Sequence, residues 1–547
     1  MVIAVKFSYG TNCVVLPCRR FFGGFFTFAL CILYPSHMSK RFQFMNSFLF
    51  KSLILLALAL PAQLLGQSAD LNLLHDQILR ERIEAHTHFV AHDLLEGRDT
   101  PSRGQDVAAI YIASHLHQMG LKSFSDSLPD PNRLLESYFQ KVPLQNVIPA
   151  DEGMLSIGGE EFFSPENFLQ LSGGNVDIKA KMVYVNYGSE ADFEGTKVKD
   201  KIVLARGGNE KASGVREMFI EGRDKARRAE EAGAKALVEF YNSPQTSWSM
   251  LQFYLNTPRM TVDEGQGQST FPRFWVEDVG NRKRDNWSGH KKEVSIRTQG
   301  AVSESLGAQN VIAYLEGTDP VLKDEYIVLS AHYDHVGIGV PDADGDSIYN
   351  GTRDNAIGTV TLLEAARVLS TSGSKRSIIF AFFCGEEKGL LGSEYFVSNP
   401  PVPLRQMAFC LNSDNAGYND TTKATVIGLE RTSAENIIRE ATAELGLEAI
   451  VDPVPRQNLF DRSDQVNFAR KGVPAVMYSM GLTSFDEEIM KYYHRPSDNP
   501  GSVDYDYLLR FTKAYVLTAM RLANTSEAIE WRENDRYFEA SRRLYGL

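Results

Sequence analysis

Tyr326-Ile327-Val328-Leu329-Ser330-Ala331-His332-Tyr333-Asp334-His335 is the stretch on which the fold turns. It opens as an apolar run of strand length, and that run stops at two imidazoles and a carboxylate. Working outward, a helical pattern covers Thr359 to Leu369, and further strand-like runs follow at Ile378 to Phe383, Met407 to Leu411 and Ala475 to Tyr478. This alternation predicts an α/β sheet covered by helices on both faces, with a last helix over Tyr505 to Leu522 packed back on it. In such sheets ligands collect at the carboxyl ends of the strands, so the residues after each run carry the chemical question.

Upstream the texture changes twice. Residues 68–152 read as a helical lead-in to the main domain, with Ile83, Phe89, Ala108 and Ile112 among its apolar positions and a break at Glu96-Gly97-Arg98. Residues 153–300 hold short β-rich runs, Met182 to Val185, Lys201 to Ala205 and Ala236 to Phe240, and read as a smaller inserted domain. Residues 301–547 form the main part of the α/β domain. Residues 1–67 stand apart, with six basic side chains and no acidic one. In them Lys40, Arg41 and Lys51 precede an apolar run from Ser52 to Ala62, and Gly66-Gln67-Ser68-Ala69 follows, the order of a secretory signal peptide. The run is shorter than the ~20 residues that span a bilayer, so no permanent membrane span is expected after signal removal. The expected location is secreted or periplasmic.

The whole chain carries a net charge of -12. Without the first 67 residues the balance is more acidic still, which gives no electrostatic support for a nucleic-acid partner. Cysteine use agrees with this division: Cys13, Cys18 and Cys31 lie upstream, and only Cys384 and Cys410 remain beyond it, each in or beside an apolar run. A disulfide framework is excluded, and both read as buried small hydrophobes.

The strand ends are rich in donors. His332-Tyr333-Asp334-His335, Gly385-Glu386-Glu387 and Asn412-Ser413-Asp414 each follow a strand run, Asp354 opens a helix, and His494 lies in a late loop after Tyr492-Tyr493. Imidazole and carboxylate without thiolate is the ligand set of zinc or a similar divalent ion at a hydrolytic centre. Any one of these residues alone would read as a cap or a solvated side chain; several at neighbouring strand ends change that reading.

His332-Tyr333-Asp334, Asp354-Asn355-Ala356, Gly385-Glu386-Glu387-Lys388-Gly389-Leu390-Leu391-Gly392-Ser393, Asn412-Ser413-Asp414 and Tyr493-His494-Arg495-Pro496 resemble, in order and spacing, the motifs of the di-zinc aminopeptidase family that includes bacterial leucyl aminopeptidases and glutamate carboxypeptidase. Val198 to Leu204 and Ala229 to Leu237 resemble a protease-associated domain at the place where that family carries an insert. The resemblance implies a zinc exopeptidase fold with a mixed, mainly parallel sheet, and a peptide as substrate. It implies that Asp354 bridges two Zn2+ ions, that His332 with Asp414 or Glu387 completes one site and the other carboxylate with His494 the second, the preferred split pairing Asp414 with His332 and Glu387 with His494, and that Glu386 is the general base on the water between them. Asp334 is expected to accept a hydrogen bond from the other ring nitrogen of His332.

The pattern departs from the family at Phe460-Asp461-Arg462-Ser463-Asp464-Gln465, where a tyrosine and a histidine are missing. Tyr478 and Tyr493 are the candidates for the oxyanion donor that relatives draw from a tyrosine near here. Asp342-Ala343-Asp344-Gly345-Asp346 alternates carboxylates as calcium loops do but lacks the twelfth-position glutamate; a solvated acidic loop is favoured over Ca2+ held by Asp342, Asp344 and Asp346. Arg353 and Arg456 lie near motif residues without forming the arginine cluster that a glutamate-releasing carboxypeptidase would use, so aminopeptidase activity is preferred. A glutaminyl-cyclase-like transferase and a non-catalytic binding protein are the remaining alternatives.

Overall fold

The computed structural model describes residues 69–547 apart from 126–130, 151, 212–213, 244, 264–268, 279–286 and 288–291. The signal-peptide reading lies outside the described residues. Within them no helix is long and apolar enough to cross a membrane.

A nine-stranded sheet runs in the order Glu448–Ile450, Lys423–Ile427, Ala475–Met480, Met407–Ser413, Tyr326–His332, Ser377–Phe383, Val302–Leu315, Phe139–Ile148 and Arg259–Val262. Its four central strands, from Ala475–Met480 to Ser377–Phe383, are parallel, and antiparallel pairs flank them on both sides. Register is what gathers the strand ends. His332 pairs with Phe383, and Ser330 pairs with Asn412, so Asp414 falls level with His332 and Gly385 lies just past it.

Both faces of the sheet are covered, as the uninterrupted apolar runs require. On one face Val328, Ile379, Ala381 and Cys410 pack against Phe396 and Val397 of helix Leu391–Ser398 and Phe468 of helix Gln465–Arg470. Each fully buried aromatic there contributes about 1.5–3 kcal/mol relative to exposure. On the other face lie helices Ile357–Ser372 and Tyr505–Asn524, packed on each other; the second is capped by Asp504, which accepts from the backbone of Asp506 and Tyr507. Cys384 and Cys410 are both fully buried and unpaired.

The inserted segment builds an eight-stranded sheet around Val176–Tyr184, Ile202–Arg206 and Ala236–Tyr241, which run parallel, with helix Val215–Glu231 between the last two in sequence. One piece of the segment leaves this sheet: Arg259–Val262 pairs with Phe139–Ile148 at the edge of the large sheet. Pairing places the insert's own chain on the peptidase edge, covering a row of backbone groups that would otherwise be open.

Candidate metal centre

The loop after strand Tyr326–His332 and the turn before helix Ile357–Ser372 meet because Gly351 permits it. Gly351 has φ 56, a left-handed backbone, and a β-carbon there would collide with the ring of His335 and the carbonyl of Asp354. The next residues are fixed from the other side by Asp498, whose carboxylate accepts from Arg353 N at 3.0 Å and Asp354 N at 3.3 Å. Arg98, fully buried, donates to the carbonyls of Val90, Tyr333, Asn350 and Gly351, pinning both loops to the helical lead-in. Its guanidinium gives up solvent to do so, and burial pushes it down to about 10.

Around this frame the donors converge. His332 Nε2 lies 3.2 Å from Asp414 Oδ1 and 3.4 Å from Asp354 Oδ1. The other oxygen of Asp354 lies 3.2 Å from His494 Nε2, which is also 3.2 Å from Glu387 Oε2. Two groups result, His335, Asp354, Glu387 and His494 in one, His332, Glu386 and Asp414 in the other, each with donor atoms within 4.8 Å of one another. Asp354 faces both. The turn at Gly385, with φ 66, sends Glu386 and Glu387 to different groups, and the Glu386 carbonyl anchors that turn by accepting from Gly389 and Leu390 at 2.9 Å.

Asp334 does a different job from the one expected. His332 Nδ1 is 3.3 Å from the Asp334 carbonyl and 3.8 Å from its carboxylate. That carboxylate instead accepts from the backbone of Glu386 at 3.2 Å and Glu387 at 3.4 Å. A side chain two residues beyond a strand end reaches across to the neighbouring turn more easily than back to its own strand, so Asp334 orients the Glu386-Glu387 pair. Burial raises its carboxyl to about 6.

The charges are unbalanced. Burial would raise the Asp354 carboxyl, yet hydrogen bonds from His332 and His494 overcome it and hold it far below the usual range. Burial and Asp354 likewise work against ionised Glu387, and the histidines hold it down at about 2. Burial opposes the charged form of His494, and Asp354 and Glu387 together lift it to about 10. Glu386 is pushed well up by enclosure, Asp414 and Glu387, against the pull of His332. In addition, His335 Nε2 is buried without a hydrogen-bond partner, while its Nδ1 faces Glu387 Oε1 at 2.9 Å. An orphaned ring nitrogen among donors that are nitrogen and oxygen only, beside carboxylates that force histidines to hold protons, fits divalent cations of the zinc type.

Several residues here were given no role from the sequence. His335 lies 2.9 Å from Glu387 Oε1, and its only signal is its place three residues after His332. The Ser463 hydroxyl donates to Asp414 Oδ2 and accepts from Asn412 Nδ2 at 2.9 Å. Asp464 is fully buried and raised to about 7 by burial. Of the two tyrosine candidates, the Tyr478 hydroxyl is buried against Thr442 at 2.8 Å. Tyr493 lines the cleft, its ring stacked on His494 at 4.2 Å. Arg353 is no substrate clamp: it is buried between the rings of Tyr418 and Tyr492 at 4.4 and 3.7 Å. Asp342 turns its carboxylate onto its own loop, accepting from Asp344 and Asp346 backbone.

The donors open into a cleft of about 540 Å³ whose wall adds Leu390, Ala416, Leu459, Met477 and Phe485. A mixed α/β sheet whose parallel centre presents nitrogen and oxygen ligands at its strand ends to such a cleft defines a metallohydrolase. Residues 310–519 match the model of peptidase family M28, and residues 175–276 match the PA domain. The main domain is thus similar to M28 peptidases and the insert to PA domains, in agreement with the resemblance read from its motifs. It is 25% identical over 372 residues to aminopeptidase YwaD of Bacillus subtilis, covering 66% of this chain and 70% of that protein. To leucine aminopeptidase 1 of Sclerotinia sclerotiorum it is 24% identical over 263 residues, 44% of this chain and 65% of that one. Among solved structures, an aminopeptidase from Aneurinibacillus sp. strain AM-1 aligns with a TM-score of 0.49 at 20% identity, over 83% of this chain and 97% of that chain.

Proposed function

We propose that this chain is a co-catalytic di-zinc aminopeptidase, exported by its N-terminal segment, that releases N-terminal residues from peptides. The observation that carries the reading is Asp354, whose two oxygens face His332 on one side and His494 on the other. In this reading His332, Asp414 and Asp354 hold one zinc, and Glu387, His494 and Asp354 hold the second. Zinc bound there supplies Lewis acidity to the scissile carbonyl and to a water molecule. Glu386 takes a proton from that water on its carboxylate and delivers it to the departing amine nitrogen. Asp334, through the backbone of Glu386, sets where that carboxylate points. Ser463 holds one oxygen of Asp414, leaving the other for the metal. Tyr493, in the cleft wall, is the hydroxyl placed to support the tetrahedral oxygen.

The named relatives, aminopeptidase YwaD and leucine aminopeptidase 1, support the aminopeptidase reading, as does the burial of Arg353 between Tyr418 and Tyr492, away from a substrate carboxylate. The test is metal analysis of the purified protein together with hydrolysis of aminoacyl reporters and N-blocked peptides, with and without chelator. Two zinc ions per chain, chelator-sensitive release of the first residue and inert N-blocked peptides are expected. Cleavage of blocked peptides at internal bonds, or a full-rate reaction without metal, would overturn it.

A further inference from the structure

Two arginines, Arg462 and Arg470, line the same cleft as the metal-binding carboxylates. Arg470 is tied to Asn467 Oδ1 at 3.1 Å. Arg462 is exposed, and its Nη2 lies 3.3 Å from the hydroxyl of Tyr493, a neutral partner; it makes no ion pair among the described residues. The neighbouring carboxylate that could neutralise it is engaged elsewhere. Asp461 pairs with Arg536 and lies 3.4 Å from the Tyr537 hydroxyl, both supplied by the C-terminal segment. That segment is itself anchored: Asp535 takes Arg431 in a two-point contact at 2.6 and 3.1 Å, and the same guanidinium sits 4.0 Å over Phe460 with Trp531 buried alongside.

The cleft therefore keeps an uncompensated, forked cation at a defined place. The Tyr493 ring that Arg462 touches is stacked on His494, so the guanidinium is one aromatic side chain away from the donors. Extended peptide advances ~3.4 Å per residue, and the cleft that holds the donors is also lined by Arg462, so residues just beyond the scissile bond pass along its guanidinium. A guanidinium recognises a carboxylate through two parallel N–H···O bonds, which a neutral amide cannot accept as strongly.

We propose that Arg462 is a specificity-determining residue that receives a substrate carboxylate one or two residues beyond the scissile bond. The proposal rests on the aminopeptidase reading for the direction of the bound peptide. The carboxylate is either the C-terminus of a short peptide or an acidic side chain of a longer one, and two ligand pairs separate these sources: leucylglycine against leucylglycinamide, and leucylglutamate amide against leucylglutamine amide.

Calorimetric binding to the full-length, zinc-loaded Glu386→Gln protein reads affinity without turnover. In at least one pair the acid is expected to bind about tenfold more tightly than its neutral partner, and that pair identifies the source. The ratio should fall to near one in Arg462→Gln and recover in part in Arg462→Lys, with zinc content and circular dichroism confirming that each variant is folded and loaded. Equal binding within both pairs, no binding at all, or a preference that survives Arg462→Gln overturns the proposal. If an Arg462-dependent preference is found while the unmodified protein releases no N-terminal residue, the aminopeptidase reading falls and the carboxylate site stands.

Discussion

In the inserted domain, Glu239 is fully buried and its carboxylate is met by Lys225 at 3.0 Å, Arg273 at 2.6 Å and the Trp275 indole at 3.0 Å. At the strand ends of the peptidase domain, Asp354, Glu386, Glu387 and Asp414 crowd together with histidines, and among the described residues no lysine or arginine makes an ion pair with any of them. Both regions enclose charge at the cost of hydration. The first offsets that cost from within, with two cations and an N–H donor converging on one anion. The second sets four carboxylates against three histidines, so its carboxylates outnumber its potential cations, and His335 Nε2 is buried in it without a partner. A closed network of the first kind is scaffold; an open one of the second kind is arranged for something that arrives with positive charge.

The sharpest way to break this contrast is to remove the residue shared by both halves of the open cluster. Asp354→Asn is expected to lower zinc content from two per chain to one or none and kcat/KM by on the order of 10⁴-fold or more, measured by elemental analysis and reporter hydrolysis. Unchanged zinc would show that Asp354 bridges nothing. Glu386→Gln sharpens the contrast within the cluster, because it removes a proton acceptor while leaving the other donors in place. Turnover should fall by about 10²–10⁴-fold with zinc retained, and near-normal kcat would remove Glu386 from the mechanism.

The closed network answers to a different measurement. Glu239→Gln leaves Lys225 and Arg273 buried with half their partner gone, and should cost about 3–5 kcal/mol of stability in the insert. Urea unfolding followed through Trp275, whose indole donates to Glu239, reads that loss. Zinc content and the activity of the folded fraction should be unaffected; a parallel loss of metal would mean that the two regions are coupled.

What the sequence made legible follows the same division. The strand runs around Tyr326 to Ala331 and Ile378 to Phe383 could be read because a buried parallel strand must be apolar on both faces, and the donors could be read because they stand where such runs stop. The positioning of those donors could not. Asp334 supports a turn about fifty residues later in sequence, and Asp498 holds the backbone of Arg353 and Asp354 from a loop near the other end of the domain. Arg98 looked like part of a helix break because nothing local reveals that its donors are used by carbonyls of two distant loops. Such contacts depend on loop register, which hydrophobic periodicity does not encode. The edge strand Arg259–Val262 was hidden for the same reason: its partner lies over a hundred residues earlier in the chain, on a strand of the other domain.

The smallest expected effect concerns protons. In the metal-free cluster His494 is raised from its ordinary value to about 10, because Asp354 and Glu387 favour its charged form more than partial burial opposes it. A group whose folded value lies above its unfolded one stabilises the fold fully below the unfolded value, near 6.5, and that contribution disappears as pH rises through about 10. Zinc needs the same imidazole neutral, so the proton and the metal compete for it. Chelator-treated protein should therefore lose thermal stability between pH 6.5 and 10, and the increase in Tm on adding zinc should widen across that interval. His494→Gln should flatten both trends, since the competing proton is gone along with the ligand. A zinc-induced shift that stays constant over this range would mean that His494 does not exchange its proton for the metal, and the open cluster would then have to be balanced by some group other than the one that faces both Asp354 and Glu387.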